Sequence, residues 1–252
     1  MKTLKSYEEI FENKKTRLDI DATNITSLPP ISDEILIINS SYNKLTSIKD
    51  LPKNLITLDV YNNKIKFIDY LPDSLETLNI SENELTKLPN LPKNLIKFNC
   101  YNNHLKSLPE LPDNLVTLCC FGNYLKKIPE LPKTLKSLEC LYNNLTELPE
   151  LPDSLVRLEC EKNNLTELPE LSDNLLYLKC DDNKLNKLPE LPKKLKYLTC
   201  NSNNLSELPE LPDSLKELYC ADNNLPYNNL SQYWNWYYEQ YPEKKAARDF
   251  NI

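Results

Sequence analysis

The sequence predicts a β-rich solenoid, a coil of short parallel strands stacked on one another, with extended polyproline-II segments on the outer side. Three observations predict it. A period of 20 residues runs without a break from residue 31 to residue 230. Within each period the apolar residues keep fixed places, some two apart as on one face of a strand, and one place holds asparagine in all ten units. Sixteen of the nineteen prolines fall at two fixed places three residues apart, where they leave no room for a regular helix.

With LPDSLVRLECEKNNLTELPE (151–170) as reference and its positions numbered 1 to 20, each element follows. Positions 5, 8 and 15 are apolar throughout, with Phe98 the largest member at position 8, and position 10 is small and apolar in nearly every unit. Positions 8 and 10 lie on one face of a strand, so 7 and 9 face the other way, and strands are expected near positions 7 to 11. Position 13 is asparagine from Asn43 to Asn223. At a sharp inward turn its amide can satisfy backbone groups that would otherwise be buried unpaired, so the recurrence reads as a structural ladder. The unit L-x-x-L-x-C/V/I-x-x-N-x-L is the leucine-rich-repeat pattern, and the expected shape is a horseshoe with a parallel concave sheet about 48 Å long.

The ends need covers, because a solenoid exposes core at each terminus. Residues 1–30 are expected to hold a cap helix, with capping-box spacing from Ser6 to Glu9, and a degenerate first repeat with Thr23 in the asparagine place. Residues 31–230 form the ten repeats, and 231–252 an aromatic cap. There Ser231 reads as an N-cap, and Tyr233, Trp234, Tyr237, Tyr238 and Tyr241 as the covering face of a helix ended by Pro242, with a second short helix over 243–249.

Composition removes several function classes. The formal charge is −7, which disfavours nucleic acid, and no apolar run approaches a membrane span, so no membrane association is expected. One glycine in the chain cannot build a phosphate-binding loop, one histidine (His104) leaves no catalytic triad, and the regular Glu and Asp read as solvated surface; an enzyme is not expected. Seven of the eight cysteines occupy position 10, from Cys100 to Cys220, a place that also accepts Val60 and Ile80. They read as small buried hydrophobes, and no C-x-x-C occurs to hold a metal; no cofactor is expected. Cys119, at position 9, is expected to face outward as a free thiol, which with seven reduced neighbours points to an intracellular, reducing compartment.

The concave face, positions 7, 9, 11 and 12, varies from unit to unit while the core stays fixed. Over the ten units it holds four cations and nine anions, so −5 of the total charge falls there. Its second half concentrates charge and tyrosine: Glu139, Tyr142, Arg157, Glu159, Glu161, Tyr177, Lys179, Asp181, Tyr197, Glu217 and Tyr219. Tyrosines on a rigid scaffold are common interface anchors, and an acidic surface suits a protein partner with a basic patch. The other reading is a structural or packaging component, such as part of a giant virion, with no ligand on this face.

The unit LPELPDSLxxLxCxxNNLTELPE resembles the short repeats of bacterial secreted effectors with leucine-rich repeats, and is similar to leucine-rich-repeat proteins of giant DNA viruses. The resemblance covers 31–230 and implies a protein-binding scaffold acting in the host cytoplasm. Some of those effectors also carry a C-terminal ubiquitin-ligase domain with a catalytic cysteine; only 22 residues follow the repeats here, so that activity is not expected.

Overall fold

The computed structural model describes residues 16–242. Among them the strands run, in chain order, Arg17–Asp19 (β1), Ile37–Asn39 (β2), Ser47–Ile48 (β3), Thr57–Asp59 (β4), Phe67–Ile68 (β5), Thr77–Asn79 (β6) and Lys97–Asn99 (β7). They continue with Thr117–Cys119 (β8), Ser137–Glu139 (β9), Arg157–Glu159 (β10), Tyr177–Lys179 (β11), Tyr197–Thr199 (β12) and Glu217–Tyr219 (β13). Eleven of these form one parallel sheet in the order β1-β2-β4-β6-β7-β8-β9-β10-β11-β12-β13. Every pair is in register at an offset of one repeat, as in Arg157 opposite Tyr177 and Leu158 opposite Leu178. The chain is a leucine-rich-repeat horseshoe, and its degenerate first unit contributes β1 to the sheet.

The strands are shorter than the pattern predicts, covering positions 7 to 9 rather than 7 to 11. Position 12 supplies the reason. In every unit its residue is left-handed, with φ of 54° at Asn62, 51° at Tyr142 and 53° at Lys162, and the chain leaves the strand direction there. The inter-rung hydrogen bonds nonetheless persist to that turn: Cys100 N donates to Cys119 O and Asn102 N to Phe121 O, both at 2.9 Å. The one glycine, Gly122, occupies this place at φ 63°, where an added Cβ would fall 2.0 Å from Asn102 Oδ1.

Positions 5, 8, 10 and 15 fill the interior as one continuous core, from Ile38 and Leu45 to Leu218 and Cys220. Beside it runs the asparagine ladder. Asn143 is typical: its Oδ1 accepts from Leu125 N of the preceding rung at 2.9 Å, while its Nδ2 donates to Cys120 O, Cys140 O and Leu141 O at 3.1 to 3.2 Å. One amide thus ties two rungs together and leaves none of its own polar atoms unpaired. Thr23 stands in for asparagine in the first unit, its backbone N–H donating to Asn43 Oδ1 at 3.0 Å.

The outer side is extended, with no helix at 146–154. Leu55 N donates to Pro52 O across a tight turn, and the same bond recurs at Leu115, Leu135 and Leu155. An addition the repeat pattern did not predict is the small parallel sheet of β3 and β5. It forms where Lys49 and Asp69 replace the usual proline at position 19, and the restored Asp69 N–H reaches Ile48 O at 3.5 Å.

At the C-terminal end Cys220 N donates to Asn228 O, and helix α1 (Leu230–Gln240) closes the last rung. Its N-cap is Asn229, not Ser231: Asn229 is extended and its Oδ1 accepts from Gln232 N at 3.0 Å, whereas Ser231 already lies inside the first turn. Tyr233 is buried edge-on against Tyr227, and Trp234, Trp236 and Tyr237 pack on the core. Trp236 therefore joins the covering face, while Tyr241 is largely exposed at the helix end. The helices expected near residues 6–11 and 243–249 lie outside the described residues.

Candidate functional site

Strands β10 to β13 present position 7 side by side: Arg157, Tyr177, Tyr197 and Glu217 are successive partners in the ladder. The strict register brings the rings of Tyr177 and Tyr197 face to face, 4.7 Å apart and 5° from parallel. The Arg157 guanidinium lies 5.6 Å from the Tyr177 ring centre, so cation, ring and ring follow one another across three strands. Both tyrosines remain partly exposed on the concave side.

Position 9 adds a charge network directly beside that stack. Glu159 is only 6% exposed, and its Oε1 takes Arg157 Nη2 from its own strand and Lys179 Nζ from the next at 3.2 Å. Arg157 Nε also approaches Glu139 at 3.8 Å. One carboxylate is thus held between two cations, which offsets the cost of burying it. Asp181, at position 11, makes no ion pair with Arg157. It accepts instead from the Thr199 hydroxyl, from Asn201 N at 2.8 Å and from Asn201 Nδ2 at 2.6 Å.

Two buried atoms of this network lack hydrogen-bond partners, Arg157 Nε and Glu161 Oε2. Burial pushes the Glu161 carboxyl up to about 7, against a hydrogen bond from its own backbone, with the negative charges of Glu159 and Asp181 adding to the effect and Lys179 opposing it.

The structure therefore brings together Glu139, Arg157, Glu159, Glu161, Tyr177, Lys179, Asp181 and Tyr197. Glu217 and Tyr219 continue the surface on the terminal strand, where Tyr219 is 50% exposed. Tyr142 does not share the flat sheet face: it sits on the left-handed turn at the rim, where Lys162 Nζ donates to its hydroxyl at 2.6 Å and lies over its ring. Position 12 as a whole belongs to that rim.

Cys119 corrects a second expectation. It is on the concave side but only 7% exposed, and its Sγ donates to Glu139 Oε2 at 3.4 Å. Burial first, then the Glu139 carboxylate, holds this thiol far above the ordinary range. The side chain of the next rung closes over it, an effect that strand alternation does not encode.

Position 11, which supplies Glu161 and Asp181 to the site, continues as an aromatic row on the earlier rungs. Tyr101 and Phe121 stack at 4.4 Å and 11°, and Tyr61 leans towards Tyr101 at 6.2 Å across the buried Ser81. Leu141 follows in the same column. Reading position 11 down the repeats, apart from positions 7 and 9, is the signal that finds it.

Clefts also occur away from the strands, between consecutive Leu-Pro turns, as at Glu110, Leu111, Pro129 and Leu131 and again at Glu190, Leu191, Pro209 and Leu211. They repeat with the coil and converge on no shared polar group. Among the described residues no three His, Cys, Asp or Glu side chains come together as a metal site, and no helix is long and apolar enough to cross a membrane.

Comparison with solved structures places the chain beside bacterial leucine-rich-repeat proteins. YopM from Yersinia enterocolitica superposes with a TM-score of 0.81 at 36% identity, over 84% of this chain and 47% of that one. YopM from Yersinia pestis, described as a leucine-rich effector protein, gives the same TM-score and identity over 85% of this chain and 63% of its own. A functional domain of InlJ from Listeria monocytogenes, which includes a cysteine ladder, matches at 0.73 and 30% identity over 85% of this chain and 50% of that one. The chain thus spans between about half and two thirds of the length of these structures. No family model and no curated protein sequence matches it.

Proposed function

From a leucine-rich-repeat solenoid with 20-residue rungs, whose side chains vary on the concave face and hold constant in the core, we infer a non-catalytic binding module that docks a partner protein on rungs 139–219. The partner carries a basic patch. The observation that carries the reading is the Arg157–Tyr177–Tyr197 stack: two parallel rings, partly open to solvent, beside a surface on which anions outnumber cations. Large aromatic side chains held rigid by a scaffold are where interface energy concentrates, and excess negative charge speeds encounter with a basic surface. The likeness to YopM, an effector protein, and the eight free cysteines support a reducing site of action such as a host cytoplasm.

The test is quantitative capture of partners by the full chain and by its Tyr177→Ala and Tyr197→Ala variants. Each substitution is expected to weaken binding by more than about 1 kcal/mol and to leave the fold intact, since neither ring is in the core. Capture should also weaken as salt rises. A partner retained undiminished by the double variant overturns the reading.

A further inference from the structure

We propose that the position-11 row, from Tyr101 through Phe121 and Leu141 to Glu161, is a track for a polyproline-II segment of the partner, with a proline or other apolar residue seated on Phe121 and an arginine or lysine three residues away at Glu161. The proposal goes beyond the docking surface on rungs 139–219, since Tyr101 and Phe121 lie before those rungs, and it specifies the chemistry of what binds along this row.

From Tyr101 onward the row is apolar through Phe121 and Leu141 and polar through Glu161, Asp181 and Asn201; before it Tyr61 is separated from Tyr101 by the buried Ser81. All of these except Ser81 are partly exposed on the same side as the strand face. The stacked pair of Tyr101 and Phe121 offers an apolar ridge of ring edges at one end. At the other end lies a carboxylate oxygen that is out of water and without a donor.

The nearby cations are engaged elsewhere. Arg157 and Lys179 converge on Glu159, and neither Glu161 nor Asp181 enters an ion pair among the described residues. Leaving a carboxylate oxygen buried and unpaired is unfavourable, and an incoming guanidinium or ammonium would supply the missing donor. Charge complementarity therefore fixes the basic residue of the occupant at this end.

Spacing fixes its backbone. Phe121 and Glu161 are two rungs apart, about 9.6 Å at the usual separation of neighbouring strands. A polyproline-II helix turns once in three residues and rises roughly 3.1 Å per residue, so side chains i and i+3 share a face about 9.3 Å apart. A β-strand instead repeats its face every two residues, roughly 6.8 Å, which matches neither one rung nor two. Aromatic-lined grooves are also the common partners of polyproline-II segments.

The probe is a set of synthetic oligoproline peptides carrying one leucine and one arginine, with the arginine two, three or four residues from the leucine in either direction. Their binding to the full chain is read by fluorescence anisotropy. Three-residue spacing is expected to bind at least tenfold more tightly than spacings of two or four. That advantage should vanish in Glu161→Gln, which keeps the shape, and in Phe121→Ser, with circular dichroism confirming the fold of each. It should persist in Tyr177→Ala. Equal binding at all spacings, or an advantage that survives Glu161→Gln, overturns the track. Failure of the track with partner capture still lost in the Tyr177→Ala variant leaves the concave-face reading standing; spacing-selective peptides with capture unaffected by Tyr177→Ala remove that reading and leave the track.

Discussion

The asparagines at position 13 and the varied residues at positions 9 and 11 lie within a few residues of one another on every rung. In the asparagine row each side chain from Asn63 to Asn223 makes the same bonds, so that those at Asn63, Asn143 and Asn203 are interchangeable. In the concave rows of the candidate site the polar chemistry differs from one carboxylate to the next: Glu159 has two cations, Asp181 has neutral donors, and Glu161 has an oxygen with none. Uniform satisfaction marks a row that maintains the coil. Uneven satisfaction marks a row whose chemistry is open to something outside the chain.

The sharpest way to break this comparison is to remove one member of the first row. Asn143→Ala leaves Leu125 N without its acceptor and deletes the donor shared by three carbonyls, in a site with no space for solvent. Stability to urea is expected to fall by about 2–4 kcal/mol, the range for orphaned buried groups summed over such a site. Tyr177→Ala, two rungs further on but outward, is expected to cost no more than about 1 kcal/mol of stability, mostly its ring stacking. Equal losses from the two would erase the distinction between the rows.

Cys119 and Cys120, adjacent in sequence but on opposite faces of one rung, sharpen it further. Both are buried, Cys120 in the core and Cys119 beneath Glu139, and burial raises both thiols. Native alkylation followed by mass spectrometry is expected to leave both slow relative to the unfolded chain. Cys220, whose thiol burial lifts only to about 11 and which lies under the cap of α1, is expected to react ahead of Cys140 through local opening of that cap. Rapid labelling of Cys119 in the folded chain would return it to the exposed surface.

These cases also show what a repeat makes legible. The coil, the core positions, the asparagine ladder and the parallel register all follow from residues that recur, because a residue repeated ten times must satisfy the same surroundings ten times. The stacking of Tyr177 on Tyr197 follows equally, since equal positions on adjacent rungs are neighbours. What single rungs contribute is harder to read. Cys119 is covered by a side chain 20 residues away, and β3 pairs with β5 only because two units lack a proline. The left-handed turn at position 12 was hidden by Tyr42, Glu82 and Lys162, residues that tolerate it poorly, although Gly122, Asn62 and Asp182 in the same column signal it. In the candidate site, charges and rings were visible as a composition, but which carboxylate lacks a partner depends on where three neighbouring side chains turn.

Glu161 gives the smallest expected effect and the most direct reading of that difference. Its carboxyl lies near 7 in the folded chain, against an ordinary value of 4.5, so the folded state binds the proton more tightly than the unfolded state does. A raised value means that its favourable contribution is complete below about 4.5 and is lost as the pH climbs through 7. Above that the group is ionised in both states and carries its desolvation as a penalty. Glutamine keeps the volume and the donor–acceptor capacity but never ionises. Glu161→Gln and the parent chain are therefore expected to be equally stable at pH 4.5, with the variant gaining steadily to pH 8, by a modest amount because the side chain is partly exposed. Denaturant midpoints measured at several pH values check it. A gap of constant size would mean that the carboxylate is already ionised and satisfied at pH 5, and the open polar site on the concave face would then have to be sought on another rung.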